Sequence, residues 1–206
     1  MRNDSTVPRW PSHPSDVPGA PLVRIGRSFV ESARDHLLST LDSFLTVYAA
    51  RPSAHNVCGV RFNHAFAIWL VVQKLRPTTI IESGINAGAS TYFFRAAAGP
   101  HVRIISLDPL DTPICGQTNR WVGSGGRHTY LTGKNFRDVA NVNWSAWEPR
   151  LDLSTTLFYQ DDHQPATSRV ETLLRHGIRH AMLEDVRDRR SNWRRITAHL
   201  AQSPFD

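Results

Sequence analysis

Carboxylates close several of the apolar runs in this chain. Glu82 ends TTIIE, Asp108 ends VRIISLD, Asp161-Asp162-His163 follow TTLFYQ, and Glu184-Asp185 follow HAML. A carboxylate in such a place accepts from vicinal hydroxyls, pairs with an ammonium group, or joins other carboxylates around a divalent cation. His163, directly after an acid pair, suits general-base work or the orienting of a substrate hydroxyl. As a histidine on the surface after a strand it needs no function, and both readings stand. The other nine of the ten histidines are scattered and read as structural.

Residues 80–91, IIESGINAGAST, join the first of these acids to a glycine turn. Gly84 and Gly88 are four apart, Asn86 lies between them, and the pair Ser90-Thr91 opens the next helix. A G-x-G-x-x-G turn lays a pyrophosphate on a helix N-terminus. The close glycine pair of that turn is absent here, and Glu82 would repel a pyrophosphate. A ligand carrying an ammonium group suits the turn better.

These groups converge only if the elements around them build one sheet. Leu37, Leu38, Leu41, Phe44, Leu45 and Tyr48 have helical spacing within Ser32–Ala50, and Arg51-Pro52 ends that helix. A second helix over Asn63–Leu75 is apolar nearly all round and stops before Pro77, so it should lie buried on a sheet. Strands are expected over Thr78–Ser83, Val102–Leu107, His128–Thr132, Thr155–Gln160 and Ile178–Leu183. Helices are expected over Ala89–Ala98, Phe136–Val142 and Thr167–Arg175, with a basic helix over Asn192–Ala201. Strand-helix alternation predicts an α/β fold, a Rossmann-like, doubly wound and mostly parallel sheet of about five strands. Right-handed crossovers put the strand C-termini, and hence the acids, along one edge, where ligands bind at the switch of strand order.

The E-x-G-x-x-x-G spacing after the first strand resembles motif I of the class I S-adenosylmethionine-dependent methyltransferases. In that family the glycine turn passes the methionine part and ribose of S-adenosylmethionine, and an acid ending the second strand binds the ribose hydroxyls. The resemblance assigns Glu82, Gly84, Asn86, Gly88, Ser90 and Asp108 to the cofactor. Asn135, with Lys134 and Phe136, follows the third strand, where the family contacts adenine. Phe136 is either a stacking partner or a core residue. The stretch from Tyr159 to Val186, YQDDHQPATSRVETLLRHGIRHAMLEDV, resembles the cephalosporin hydroxylase-like and rhamnosyl O-methyltransferase-like group. There an acidic-His turn and a Glu-Asp pair hold magnesium beside the cofactor. By position Asp162, Glu184 and Asp185 would bind Mg2+, and Asp162 and His163 would serve catalysis. Val186 departs from the catechol-type pattern, which has Asn there. The implied function is metal-assisted O-methylation of a small molecule or sugar hydroxyl. The alternative is a degenerate or truncated domain of the same fold that binds without catalysis. A nicotinamide-dependent oxidoreductase is disfavoured by the missing G-x-G-x-x-G.

Composition sets the outer limits. The chain has 206 residues and 40% hydrophobic content, enough for one domain with a core. Residues 1–27 read as a disordered Pro-rich tail, 28–186 as the Rossmann-like domain and 187–206 as a basic C-terminal helix or tail. After Leu183 only 23 residues remain, short of the roughly 40 that a helix and two more strands need. The usual final hairpin of the methyltransferase sheet is therefore expected to be missing. Half of the net charge of +6 sits at the C-terminus, where five Arg face two Asp in the last 21 residues. With no basic-aromatic array elsewhere, nucleic acid is not the expected partner. Trp144 and Trp147 read as packing residues. Gly123–Gly126 with Arg127 form a connection or a lid. Cys58 and Cys115 match no metal or redox spacing and read as free thiols. No signal core or membrane-length apolar run is present, so a cytoplasmic protein is expected.

Overall fold

The computed structural model describes residues 27–52, 60–111, 127–147 and 149–184. Asp185, Val186, Cys58, Cys115, the Gly123–Gly126 run, the Pro-rich tail through residue 26 and the C-terminal basic segment lie outside the described residues.

The central strand β1, Thr79–Ser83, is buried along its whole length. That is the burial of a strand covered on both faces, which explains its run of apolar residues. It pairs in parallel with β2 (Arg103–Asp108) on one side and with β4 (Thr156–Gln160) on the other. Beyond β2 lies β3 (His128–Thr132), and beyond β4 lies β5 (His180–Leu183). The sheet is parallel throughout, in the order β3-β2-β1-β4-β5. It is the doubly wound α/β, Rossmann-like arrangement, with the switch in strand order between β1 and β4.

Among the described residues four helices flank the sheet: α1 (Arg27–Ala49), α2 (Phe62–Leu75), α3 (Ala89–Ala98) and α4 (Ala166–His176). Phe44 of α1, Ile68 and Val72 of α2 and Phe94 of α3 pack with Ile80, Ile104 and Tyr159 on one face. Leu173 of α4 packs with Ile81, Ile105, Phe158 and Trp144 on the other. The period-2 alternation of each strand thus feeds two separate cores. Gln73 Nε2 donates to the Ala97 carbonyl (2.7 Å) and pins α2 to α3. Arg76 closes α2 in the left-handed region just before Pro77, and Gly177 closes α4 in the same conformation (φ 79°), its N–H reaching the Leu173 and Leu174 carbonyls. No helix among the described residues is long and apolar enough to cross a membrane.

The helix expected over Phe136–Val142 does not form. Two 3-10 turns, Gly133–Asn135 and Val139–Asn141, stand there instead. Gly133 is left-handed (φ 52°) and Asp138 spends its side chain capping the Ala140 N–H. The chain then threads Val139, Val142 and Trp144 into the second core. Tertiary burial outweighs the local helical pattern there.

Candidate functional site

Glu82 lies beneath the glycine turn rather than on its surface. It is 0% exposed. Ser90 Oγ donates to its Oε1 (2.5 Å), while Thr91 Oγ1 (2.7 Å) and Ser106 Oγ (2.6 Å) donate to Oε2. Ser90 and Thr91 open α3, and Ser106 belongs to β2, so one carboxylate ties the strand, the next helix and the neighbouring strand together. Burial raises its carboxyl from the usual 4.5 to about 7, against the pull of the three hydroxyls. Ser106 has one hydroxyl proton, which it gives to Glu82, and so it accepts from His128 Nε2 at 3.0 Å. Burial keeps His128 neutral, its pKa lowered to about 4.

Asp108 holds the turn from the β2 side. Its Oδ2 accepts from the Ile85 N–H (2.9 Å) and the Asn86 N–H (3.2 Å), and its Oδ1 from the Leu110 N–H (2.8 Å). Asn86 and Gly88 both take left-handed backbone (φ 47° and 83°). Gly84 is needed for close approach: a Cβ there would meet the Asp161 carbonyl oxygen at 2.3 Å, with φ at +93°. The turn after β1 therefore presses directly on the turn after β4. One backbone bond closes the seam, Asp161 N–H to the Ser83 carbonyl (2.8 Å), while Gly84 N–H to the Leu107 carbonyl (2.9 Å) ties the turn to β2 on the other side.

Asp162 is held by a guanidinium. Its Oδ2 accepts from Ser83 Oγ (2.6 Å) and Arg169 Nη2 (2.6 Å), and its Oδ1 from the Gln164 N–H (3.1 Å). Arg169, 6% exposed on α4, also forks onto Asp138 with two bonds of 2.7 Å. This pairing holds the Asp138 carboxyl below its usual range. Nothing in the spacing of the sequence singled out Arg169 from the other arginines.

Glu184 points to the opposite face of the sheet. Tyr159 OH donates to its Oε2, and His64 Nδ1 lies against its Oε1. Tyr159 belongs to the core under α2 and α3, whereas Asp162 meets α4. Of the three carboxylates expected to share magnesium, Asp162 and Glu184 are thus on different faces, each with its own hydrogen-bond donors, and Asp185 lies outside the described residues. No group of three His, Cys, Asp or Glu able to hold a metal exists among the described residues. Asp162 and Glu184 as placed here do not fit a shared Mg2+ centre.

His163 is exposed after β4 with left-handed backbone (φ 58°). Asn135 and Lys134 are exposed in the 3-10 turn after β3. Phe136 packs against the second core, as do Trp144 (2% exposed) and Trp147, which stack at 5.7 Å. The structure brings together Glu82, Gly84, Asn86, Gly88, Ser90 and Asp108 around the turn after β1, with Glu82 and Ser90 buried beneath it. It separates Asp162 from Glu184.

No protein-family model matches the chain, and no curated protein matches it. Similar solved structures include the SAH-bound methyltransferase PaMTH1 of Podospora anserina, with a TM-score of 0.47 and 13% identity over 88% of this chain and 85% of that one. Cofactor-bound Rv0187 from MTB gives 0.46 and 16% over 88% of each chain. An O-methyltransferase from Bacillus cereus in complex with SAH gives 0.36 and 20% over 66% of this chain and 60% of that one. At these values the likeness is one of general architecture, and the fold assignment rests on the sheet order described above.

Proposed function

We propose that the chain is an S-adenosylmethionine-dependent methyltransferase acting on a hydroxyl of a small molecule. The observation that carries this reading is the clamp between Asp108 and the Ile85-Asn86 backbone at the switch point. It fixes a glycine turn and a carboxylate, the two parts that a ribose with an attached sulfonium amino acid requires, as one unit. The donor set fits that ligand in a narrower way than the residue types alone suggested. Oδ2 is taken by two amides, so Oδ1 is the oxygen with capacity left for a ribose hydroxyl. Gly84, Asn86, Gly88 and Ser90 shape the turn. Glu82 acts from beneath it as a positioning residue. Asn135 stands at the adenine side and His163 at the rim after β4. Asp162 positions the β4–α4 turn through Ser83 and Arg169. When bound, S-adenosylmethionine supplies an electrophilic methyl group on a sulfonium; the protein's part is to hold donor and acceptor in line.

A binding domain without catalysis is the second reading, favoured by the engagement of Asp162 with Arg169 and Ser83. Titration calorimetry with S-adenosylmethionine tests the first point. Wild type should bind, and Asp108→Ala should weaken binding roughly 10- to 100-fold, the worth of a charge-assisted hydrogen bond. Absence of wild-type binding refutes the proposal. Binding with no methyl transfer to any hydroxyl acceptor favours the second reading.

A further inference from the structure

The cluster around Glu184 has a chemistry of its own. His64, Ile68, Tyr159, Met182, Leu183 and Glu184 line a cavity of about 340 Å3 between α2 and the β4–β5 pair. Tyr159, 1% exposed, fixes one oxygen of Glu184, and His64 Nδ1 lies against the other. A carboxylate only accepts, so the attractive form of that contact carries its proton on Nδ1. The neutral ring then presents Nε2 as an acceptor. A carboxylate behind an imidazole in this way is an arrangement that makes a general base. Glu184 sits directly past the sheet edge, its N–H donating to the Gln160 carbonyl (2.9 Å). It is two strand spacings, about 10 Å, from the glycine turn after β1.

Resting on the methyltransferase reading, we infer that this cavity is the acceptor site, that it takes a single-ring phenol, and that His64 removes the phenolic proton. The volume lies near the lower end of small-ligand sites, roughly 300–1,000 Å3. Ile68, Met182, Leu183 and the Tyr159 ring supply apolar walls, and among the described residues no Arg or Lys lines them. A sugar would leave many of its hydroxyls unpaired there. A phenol needs one polar partner. Phenols ionise near pH 10, within range of an imidazole base, so no metal is required to acidify the hydroxyl. In the transfer, the O–H proton passes to Nε2 and an oxygen lone pair forms the O–CH3 bond. The C–S bond breaks with its electron pair remaining on sulfur, leaving a neutral thioether. The imidazolium then returns its proton to water.

The first test needs no methyl donor. 4-Nitrophenol is titrated into the full chain and the phenolate absorbance is followed. Wild type should bind it and raise the phenolate band at a pH where free nitrophenol is mainly protonated. His64→Ala, at a side chain 56% exposed, should abolish that rise, and Met182→Trp, which fills the cavity, should abolish binding. No binding to wild type, or an unchanged band in His64→Ala, overturns the site. The second test is transfer from S-adenosylmethionine to the same phenol. His64→Ala should lower kcat roughly 100-fold or more with the S-adenosylmethionine affinity unchanged; an unchanged kcat overturns the base. If wild type binds nitrophenol through His64 but not S-adenosylmethionine, the methyltransferase reading fails while the site stands.

Discussion

Glu82 and His128 should impose opposite pH dependences on stability, and Ser106 joins them. Glu82 has a folded pKa of about 7 against 4.5 unfolded. Its contribution is fully present below about pH 4.5, falls as pH rises and is gone above about pH 7. At about 1.4 kcal/mol per pH unit of displacement, the gap corresponds to about 3 kcal/mol for this fully buried group. His128 has a folded pKa of about 4 against 6.5 unfolded. Its contribution runs the other way: present above about pH 6.5 and lost as pH falls toward 4. Its ring is only partly buried, so solvent reduces the figure to about 2 kcal/mol. In wild type the two slopes largely cancel, and urea unfolding followed by tryptophan fluorescence should give a stability that changes by only about 1 kcal/mol from pH 4.5 to 7. Glu82→Gln should uncover the histidine, with stability rising by about 2 kcal/mol over that range. His128→Phe, which keeps the stack on Tyr130 (4.0 Å), should uncover the carboxylate, with stability falling by about 3 kcal/mol. Parallel curves for wild type and Glu82→Gln would show that the glutamate titrates alike folded and unfolded, against the buried, raised carboxyl described above.

Three further outcomes follow from the same geometry. Arg169→Met leaves Asp138 and Asp162 without their guanidinium; breaking a buried pair costs about 3–5 kcal/mol, reduced to about 2–3 because the Asp138 side chain is 32% exposed, and thermal unfolding should fall by roughly 5–10 °C. The same variant should flatten the acid limb of stability, since a depressed Asp138 pKa stabilises only above its usual value near 3.8 and that contribution is lost as pH falls through the folded pKa. Gly84→Ala forces a Cβ against the Asp161 carbonyl at positive φ, and should destabilise by more than about 2 kcal/mol in a denaturant melt.

The alternation of short apolar runs and glycine- or proline-closed helices made the sheet legible. TIIES, RIISLD and TLFYQ are buried almost throughout, and strands buried on both faces have few other ways to be satisfied. The turn from Glu82 to Ser90 was legible because its glycine spacing is local. Long-range partners were not. Asp162 and Glu184 look like a pair in sequence, yet adjacent residues on adjacent strands alternate faces, and Gln160 and Leu183 in register do not tell which way the following side chains turn. Arg169 and His64 were hidden for the same reason. Arg169 sits on the amphipathic α4 and His64 at the start of the mainly apolar α2, and in neither place does residue type alone separate a solvated side chain from one reaching a strand end. The segment after β3 escaped because the burial of Val139, Val142 and Trp144 depends on the neighbouring α4, not on its own period.

We propose that the Gly84–Gly88 turn and Asp108 form the cofactor site. Backbone amide shifts of isotope-labelled protein, recorded on addition of S-adenosylhomocysteine, test it most directly. The Ile85, Asn86, Gly88 and Leu110 amides should move, and those of Asp152–Ser154 and Gly177, at the opposite edge of the sheet, should not. Shifts confined to that opposite edge, or none at saturating ligand, would contradict it.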